Sequence, residues 1–298
     1  MKAIVITARG GPEVLALRDL ERPQPAAEQV LVRVRACGVN RADLLQNLGQ
    51  YPAPPGAPAD IPGMEFAGEV EQLGPGVTGG LKPGDRVCGI TGGGAYAEYL
   101  LAHERMLALM PSGMGFEEAA AVPEAFMTAL DALETRASLR PGERVLIHAV
   151  GGGVGSAALQ LAHAMGCFVF GTSRTAEKLR KAEALGLHVG IDTSRDDFAE
   201  LVRAQTGGEG VHVVLDHLGA SALPGNLAAL ATKGRLVLVG LLGGPSAPLD
   251  LALVMHKRLT IVGTVLRARP LEEKIAVTQQ FAARVVPWLA RGQVKPVL

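Results

Sequence analysis

Residues 144–159 are the first stretch that could do chemistry. Arg144-Val-Leu-Ile-His-Ala-Val-Gly-Gly-Gly-Val-Gly-Ser-Ala-Ala-Leu runs from an apolar strand pattern, through glycines, into a helical pattern. A helix N-terminus offers free N–H groups and a partial positive charge, which suit a pyrophosphate. Glycine is needed where a Cβ would hold the phosphate away or push strand and helix apart. The spacing is not G-x-G-x-x-G, because Val150 holds the first glycine position; it fits the variant Ala149-x-x-Gly152-x-x-Gly155. Ala149, Gly151, Gly152, Gly153 and Val154 are therefore the expected nucleotide-binding residues, with a tight structural turn as the alternative.

The following strand separates the two nicotinamide nucleotides. NAD-specific folds usually end it in Asp or Glu, which bonds the ribose 2′-hydroxyl. Here the tip reads Phe170-Gly171-Thr172-Ser173-Arg174, with Glu177-Lys178 after it. Ser173, Arg174 and Lys178 would donate to a 2′-phosphate and Gly171 leaves it room, so NADPH is the expected cofactor. Arg174 and Lys178 also read as an ordinary solvated helix start. His148 sits at a strand end and reads as structural, and His217 receives no role as an acid.

Two textures position these residues. From Met1 to about Leu109, short β-rich runs broken by Pro and Gly predict a compact, largely antiparallel β domain. Residues 51–63 hold five prolines and can be neither regular helix nor central strand, so they predict a shaped loop. Residues 116–133 are Ala-rich with helical spacing. Beyond them strands are predicted at 144–149, 168–172, 189–192, 211–216, 235–240 and 259–265, with helices at 155–165, 176–185, 198–205 and 223–230. That alternation is the pattern of a parallel sheet covered on both faces, a Rossmann-type doubly wound α/β fold. A final helix is predicted over 271–290.

Composition narrows the function classes. Hydrophobic residues make up 48% of 298, enough for a sizeable core. Lys plus Arg equals Asp plus Glu at 29 each, so no charge excess draws the chain to nucleic acid or an anionic membrane. No run of about 18 uncharged apolar residues exists for a span, and Met1–Ile6 lacks a signal peptide's apolar region. A cytoplasmic protein is expected. Cys37, Cys88 and Cys167 are too scattered for a disulfide framework or a four-cysteine metal lobe, and each reads as a small buried hydrophobe.

With those residues in place, the chain resembles the zinc-free quinone oxidoreductase (zeta-crystallin-like) branch of the medium-chain dehydrogenase/reductase superfamily, within it the animal stress-inducible subgroup. The resemblance rests on Asn40-Arg-Ala-Asp-Leu-Leu-Gln, Gly49-Gln-Tyr-Pro-Ala-Pro-Pro-Gly, Pro62-Gly-Met-Glu-Phe-Ala-Gly, Pro123-Glu-Ala-Phe-Met-Thr-Ala, Val145-Leu-Ile-His-Ala, Gly240-Leu-Leu-Gly-Gly and Leu266-Arg-Ala-Arg. It implies a GroES-like catalytic domain at 1–122, an NADP-binding Rossmann domain at 123–265, and a return segment to the catalytic domain at 266–298. Relatives continue beyond the position of Leu298, so by this resemblance the return segment is shortened.

Zinc-dependent relatives place Cys where this chain has Asn40, and Gly-His-Glu where it has Gly63-Met64-Glu65. Amide and thioether do not build a catalytic zinc site, so no metal is expected. Without a Lewis acid the acceptor must already be electrophilic, as quinones and activated enones are. The resemblance implies that Asn40 and Thr128 contact the nicotinamide end, that Asp43 braces the Asn40 loop, and that Tyr51 overhangs the substrate. It also implies that Gly240, Leu241 and Leu242, at a strand end, and Val265, Leu266 and Arg267 lie against the cofactor. Solvent could protonate the reduced product.

The chain departs from the family at Gly152, where close relatives carry serine, and at Asp192-Thr193, where an acid replaces an amide near the adenosine. The implied function is NADPH-dependent reduction of a quinone. The alternatives are an alkenal or enone double-bond reductase of the same fold, and a nucleotide-binding sensor or structural protein without turnover. The strand over 259–265 is expected at the sheet edge, where an exposed edge pairs with its copy into a homodimer.

Overall fold

The β-rich first texture becomes an antiparallel ribbon and a five-stranded sheet. A computed structural model describes all residues, Met1 to Leu298, and they divide into two units, Met1–Met127 with Leu266–Leu298, and Thr128–Val265. In the first unit β1 (Lys2–Ile6) pairs antiparallel with β2 (Leu15–Asp19). The sheet is built from β3 (Gln29–Cys37), β4 (Glu65–Leu73), β5 (Arg86–Ile90), β6 (Tyr99–His103) and β7 (Leu107–Leu109), in the order β6-β3-β4-β5-β7. Its core packs Val30, Val32, Phe66, Val70, Val87 and Leu100. From Arg33 onward β3 runs out of that core, every second residue facing solvent, and its last residue, Cys37, is exposed. The expectation that all three cysteines are buried is thus corrected at Cys37, while Cys88 and Cys167 are buried.

Between β3 and β4 lie α1 (Arg41–Asn47) and the proline-rich loop, which carries no helix or strand from Tyr51 to Gly63. The 116–133 pattern is split into α2 (Phe116–Ala120) and α3 (Pro123–Leu130), with one turn of π-helix at Asp131–Arg136. Pro123 explains the split. It has no N–H to continue the first ladder, but its fixed φ suits the first position of a new helix.

The second unit is one parallel sheet. In chain order it contains β8 (Arg144–Ile147), α4 (Gly153–Ala164), β9 (Phe168–Ser173), α5 (Ala176–Glu183), β10 (Val189–Asp192), α6 (Phe198–Gln205), β11 (Val211–Asp216), α7 (Leu223–Ala229), β12 (Leu230–Leu238), α8 (Leu251–Lys257) and β13 (Thr260–Gly263). Strand order is β10-β9-β8-β11-β12-β13, all pairs parallel, so the direction of winding reverses between β8 and β11. Open α/β sheets bind ligands outside the carboxyl ends of the strands at such a switch point. Both central strands are fully buried at Val145, Leu146, Ile147, Val213, Val214 and Leu215.

Two elements differ from the expected pattern. β12 begins at Leu230, ahead of Arg235, because a register shift against β11 lets Lys233, at φ +63°, turn the strand. α8 gave no periodic signal because Leu251 and Met255 face solvent. The last helix, α9 (Leu271–Ala290), belongs to the first unit and buries Ile275, Thr278, Phe281, Val285 and Leu289, spaced as one helical stripe. No helix of the chain is long and apolar enough to cross a membrane.

Candidate functional site

The glycine turn stands where the winding reverses. Gly152 is the N-cap of α4 and supplies no side chain to its free N–H groups. Gly151, Gly152 and Gly153 are exposed and Val154 is half-buried. Two glycines are demanded by close approach. A Cβ on Gly155 would strike the Ala149 carbonyl oxygen and come within 2.9 Å of Val150 Cα, and one on Gly171 would lie 2.7 Å from Leu187 and 2.9 Å from Val150. Ala149 itself turns the chain at φ +50°, in the left-handed region.

Beside this turn lies the tip of β9. The Lys178 stem passes over Gly151, its Cβ 2.8 Å from where a Gly151 Cβ would stand. Arg174 and Lys178 are exposed, and the acid of this helix start, Glu177, pairs at 2.7 Å with Lys181. Ser173 is buried, and its Oγ accepts from Thr175 N at 3.1 Å. Asp192 is in register with Ser173 on the next strand. Its Oδ1 accepts from the Ser194 hydroxyl at 2.7 Å and from Ser194 N at 3.0 Å, and these bonds hold the carboxyl below its ordinary range.

The ends of β11 and β12 are laced together. Gly240 N donates to Asp216 O and Leu242 N to His217 O, and the Leu241 and Leu242 side chains are left exposed. Asp216 accepts from Leu218 N at 2.7 Å and from Gly219 N at 3.1 Å. His148 is fully buried, with Nδ1 2.9 Å from Thr172 Oγ1 and Nε2 2.6 Å from Asn226 Oδ1, which is a structural placement. His217 has a buried Nε2 without a partner, and burial, then the neighbouring His148, lower its pKa to about 4. Thr128 is half-buried on α3, and Val265 is exposed.

In the first unit the Asn40–Asp43 segment opens α1 as half of a capping box. Asp43, 2% exposed, accepts from Asn40 N at 2.8 Å, Gly63 N at 3.0 Å and the Tyr96 hydroxyl at 3.2 Å. It ties the start of α1 to the end of the proline-rich loop. The Asn40 amide donates to Glu65 Oε1 at 2.7 Å, and Glu124 N donates to Glu65 Oε2 at 2.9 Å. Burial raises the Glu65 pKa to about 7 against these two bonds, with the Asp43 charge adding to the rise. Glu124 is pushed to about 8 by burial, then by Glu65 and Asp43, with Arg267 opposing. Tyr51 is half-buried, and burial and then Glu124 raise its phenol.

Arg267 joins this cluster rather than pointing freely toward a nucleotide. Its Nε donates to Gly92 O at 2.9 Å, Nη1 to Tyr51 O at 3.2 Å, and Nη2 to Gln46 Oε1 at 2.5 Å and Gly92 O at 2.6 Å. The guanidinium also lies 5.2 Å from the Tyr51 ring centroid. Every nitrogen of the guanidinium is thus engaged, one on the Tyr51 carbonyl and the others on Gly92 and Gln46. Leu266 beside it is buried. Sequence reasoning assigned no role to Glu65, Glu124, Tyr96 or Gln46. The available signal was an acid inside an apolar run, Met64-Glu65-Phe66 and Val122-Pro123-Glu124.

Comparison with known proteins fits this geometry. Residues 26–112 match the alcohol dehydrogenase GroES-like domain family, and residues 153–285 match the family described as zinc-binding dehydrogenase. A quinone oxidoreductase of Pseudomonas aeruginosa is 38% identical over 299 residues, which cover 99% of this chain and 90% of that protein. The solved Escherichia coli quinone oxidoreductase complexed with NADPH is 30% identical with a TM-score of 0.86, over 99% of this chain and 89% of the other. A structure described as an NAD-dependent alcohol dehydrogenase has a TM-score of 0.88 at 34% identity, over 100% of this chain and 91% of the other. The chain is an oxidoreductase and belongs to the quinone oxidoreductase branch of the medium-chain dehydrogenase/reductase superfamily.

Proposed function

We propose that this oxidoreductase takes NADPH and reduces a quinone by hydride transfer without zinc. The observation that carries the cofactor choice is the tip of β9. It has no acid, two exposed cations, Arg174 and Lys178, and a Lys178 stem already lying along the glycine turn. A 2′-phosphate meets donors there, and the acids on either side are engaged, Glu177 by Lys181 and Asp192 by Ser194.

One matching family is described as zinc-binding, but the residues here do not fit that ion. The Asn40 amide nitrogen is given to Glu65, Met64 is 2% exposed in the core, and no three His, Cys, Asp or Glu residues are grouped to hold a metal. The acceptor must then be electrophilic by its own conjugation, as a quinone is.

When bound, the nicotinamide supplies the hydride. The chain supplies placement. The α4 N-terminus attracts the pyrophosphate, and Thr128, Gly240, Leu241, Leu242, Val265 and Leu266 serve the nicotinamide half. Asn40, its amide fixed by Glu65, orients the reacting end. Tyr51, held by Arg267, offers a flat ring to a flat acceptor. The unpaired edge of β13, outermost in the parallel sheet, supports a homodimer through that strand.

The test is steady-state oxidation of NADPH and NADH against a panel of quinones and a panel of alkenals, with and without a chelator. The expected result is turnover of quinones with NADPH, unchanged by the chelator. Faster turnover of alkenals would move the assignment to a double-bond reductase. Absence of turnover with both panels would overturn the enzymatic reading and leave a nucleotide-binding protein.

A further inference from the structure

Resting on that reading, we propose that Asp131 and Thr264 form a positioning clamp for the nicotinamide half of the cofactor. The two residues are 133 positions apart, and the Thr264 hydroxyl donates to Asp131 Oδ2 at 3.0 Å. Asp131 is 2% exposed, and Arg136 Nε donates to the same oxygen at 3.3 Å. A charged acceptor makes the stronger class of hydrogen bond. Asp131, Arg136 and Thr264 all lie within the second unit, Thr128–Val265.

The fold puts this bond where a ligand is held. A doubly wound sheet consists of two mononucleotide-binding halves, with ligands outside the carboxyl ends of the strands. The half made by β8, β9 and β10 carries the glycine turn and the acid-free tip, so the adenosine end falls to it. The half made by β11, β12 and β13 is left for the nicotinamide end. Thr264 directly follows β13, and its N–H donates to the carbonyl of Leu238, the last residue of β12, at 3.0 Å. It therefore stands at the carboxyl edge of that half. The next residue, Val265, is exposed.

On the other side of the bond the chain departs from an ordinary helix. After α3 comes the π-turn at Asp131–Arg136, in which Ala137 N donates to Ala132 O, five residues back, at 3.0 Å. That wider turn brings Asp131 and Arg136 to one face, which an α-helix would hold apart. Single π-turns are frequent at functional sites. Thr128 lies three residues before Asp131 and so shares its helix face. The buried acid thus joins two residues given to the nicotinamide half, Thr128 on the helix and Val265 at the strand end. Opening the clamp leaves the adenosine end, on the far side of the switch point, as it was.

The test separates the two ends of the cofactor. Thr264→Val removes the hydroxyl and keeps the shape, with Arg136 remaining on the Asp131 carboxylate. Thr264→Ser keeps the hydroxyl. Binding of NADPH is read by its fluorescence, and binding of adenosine 2′,5′-bisphosphate, which has no nicotinamide, by calorimetry. Thr264→Val is expected to weaken NADPH about tenfold and to leave the bisphosphate within about twofold of wild type. Thr264→Ser is expected to restore NADPH binding. Equal weakening of both ligands, the mark of a merely structural role, or no weakening of NADPH overturns the clamp. If Thr264→Val does not fold, Asp131→Asn, which keeps the shape and withdraws the charge, is read in the same way. A wild type that binds neither ligand overturns the clamp together with the cofactor assignment. Absence of quinone turnover by a wild type that binds both touches the acceptor alone.

Discussion

At the scale of single residues, the site is a competition among charges for a few donors. Glu65 and Glu124, near 7 and 8, keep protons in the native state that unfolded carboxyls release near pH 4 to 5. Between those limits the folded chain binds more protons than the unfolded one, so stability falls as pH rises. The loss is absent below the unfolded value and complete above the folded ones. Wild-type melting temperature is therefore expected to drop by a few degrees from about pH 6 to pH 9, and Glu124→Gln to drop less. At the tip of β9, the double variant Arg174→Ala/Lys178→Ala should raise KM for NADPH about tenfold or more and leave KM for NADH nearly unchanged. Equal effects on both would remove Arg174 and Lys178 from 2′-phosphate recognition. Residue chemistry was legible in sequence where neighbours along the chain do the work, as with Asn40 and Asp43 at the start of one helix. It was not legible for Glu65 and Glu124, which lie 59 positions apart, because their protonation arises from burial that only the fold creates.

At the scale of elements, strands and helices of the parallel sheet could be read because each is a long apolar run bounded by glycine or a cap, such as Asp197 on α6. The bulged start of β12 and the outward-facing α8 could not, since neither presents a hydrophobic period. α8 nevertheless has a structural task. Its Lys257 ammonium donates to the carbonyls of Leu227, Ala228 and Leu230 at 2.8, 2.9 and 2.6 Å, closing the C-terminal end of α7. Lys257→Met keeps the stem and removes the charge, so it should cost about 2 kcal/mol in denaturant unfolding. Gly155→Ala would set a methyl against the Ala149 carbonyl and force α4 away from β8. Its expected signature is NADPH affinity lowered at least tenfold, read by quenching or calorimetry, together with a lower melting temperature.

At the scale of the whole molecule, the parallel sheet ends in a strand with one unpaired edge, β13. Light scattering should give the mass of two chains, and Ile261→Pro or a charge at Val262 should release single chains. A monomeric wild type would remove the edge-pairing proposal.

The order of the units along the chain has a consequence for synthesis. The second unit is a continuous segment, Thr128–Val265, whereas the first is completed by Leu266–Leu298. During translation the middle of the chain has everything it needs before the beginning does. The early β-sheet can form, but Gln46, the Tyr51 carbonyl and the Gly92 carbonyl wait for Arg267, which follows Gln46 by 221 positions. The proline-rich loop is therefore expected to stay open on the ribosome until Arg267 emerges, and to be the segment that proteases cut first in nascent or truncated chains.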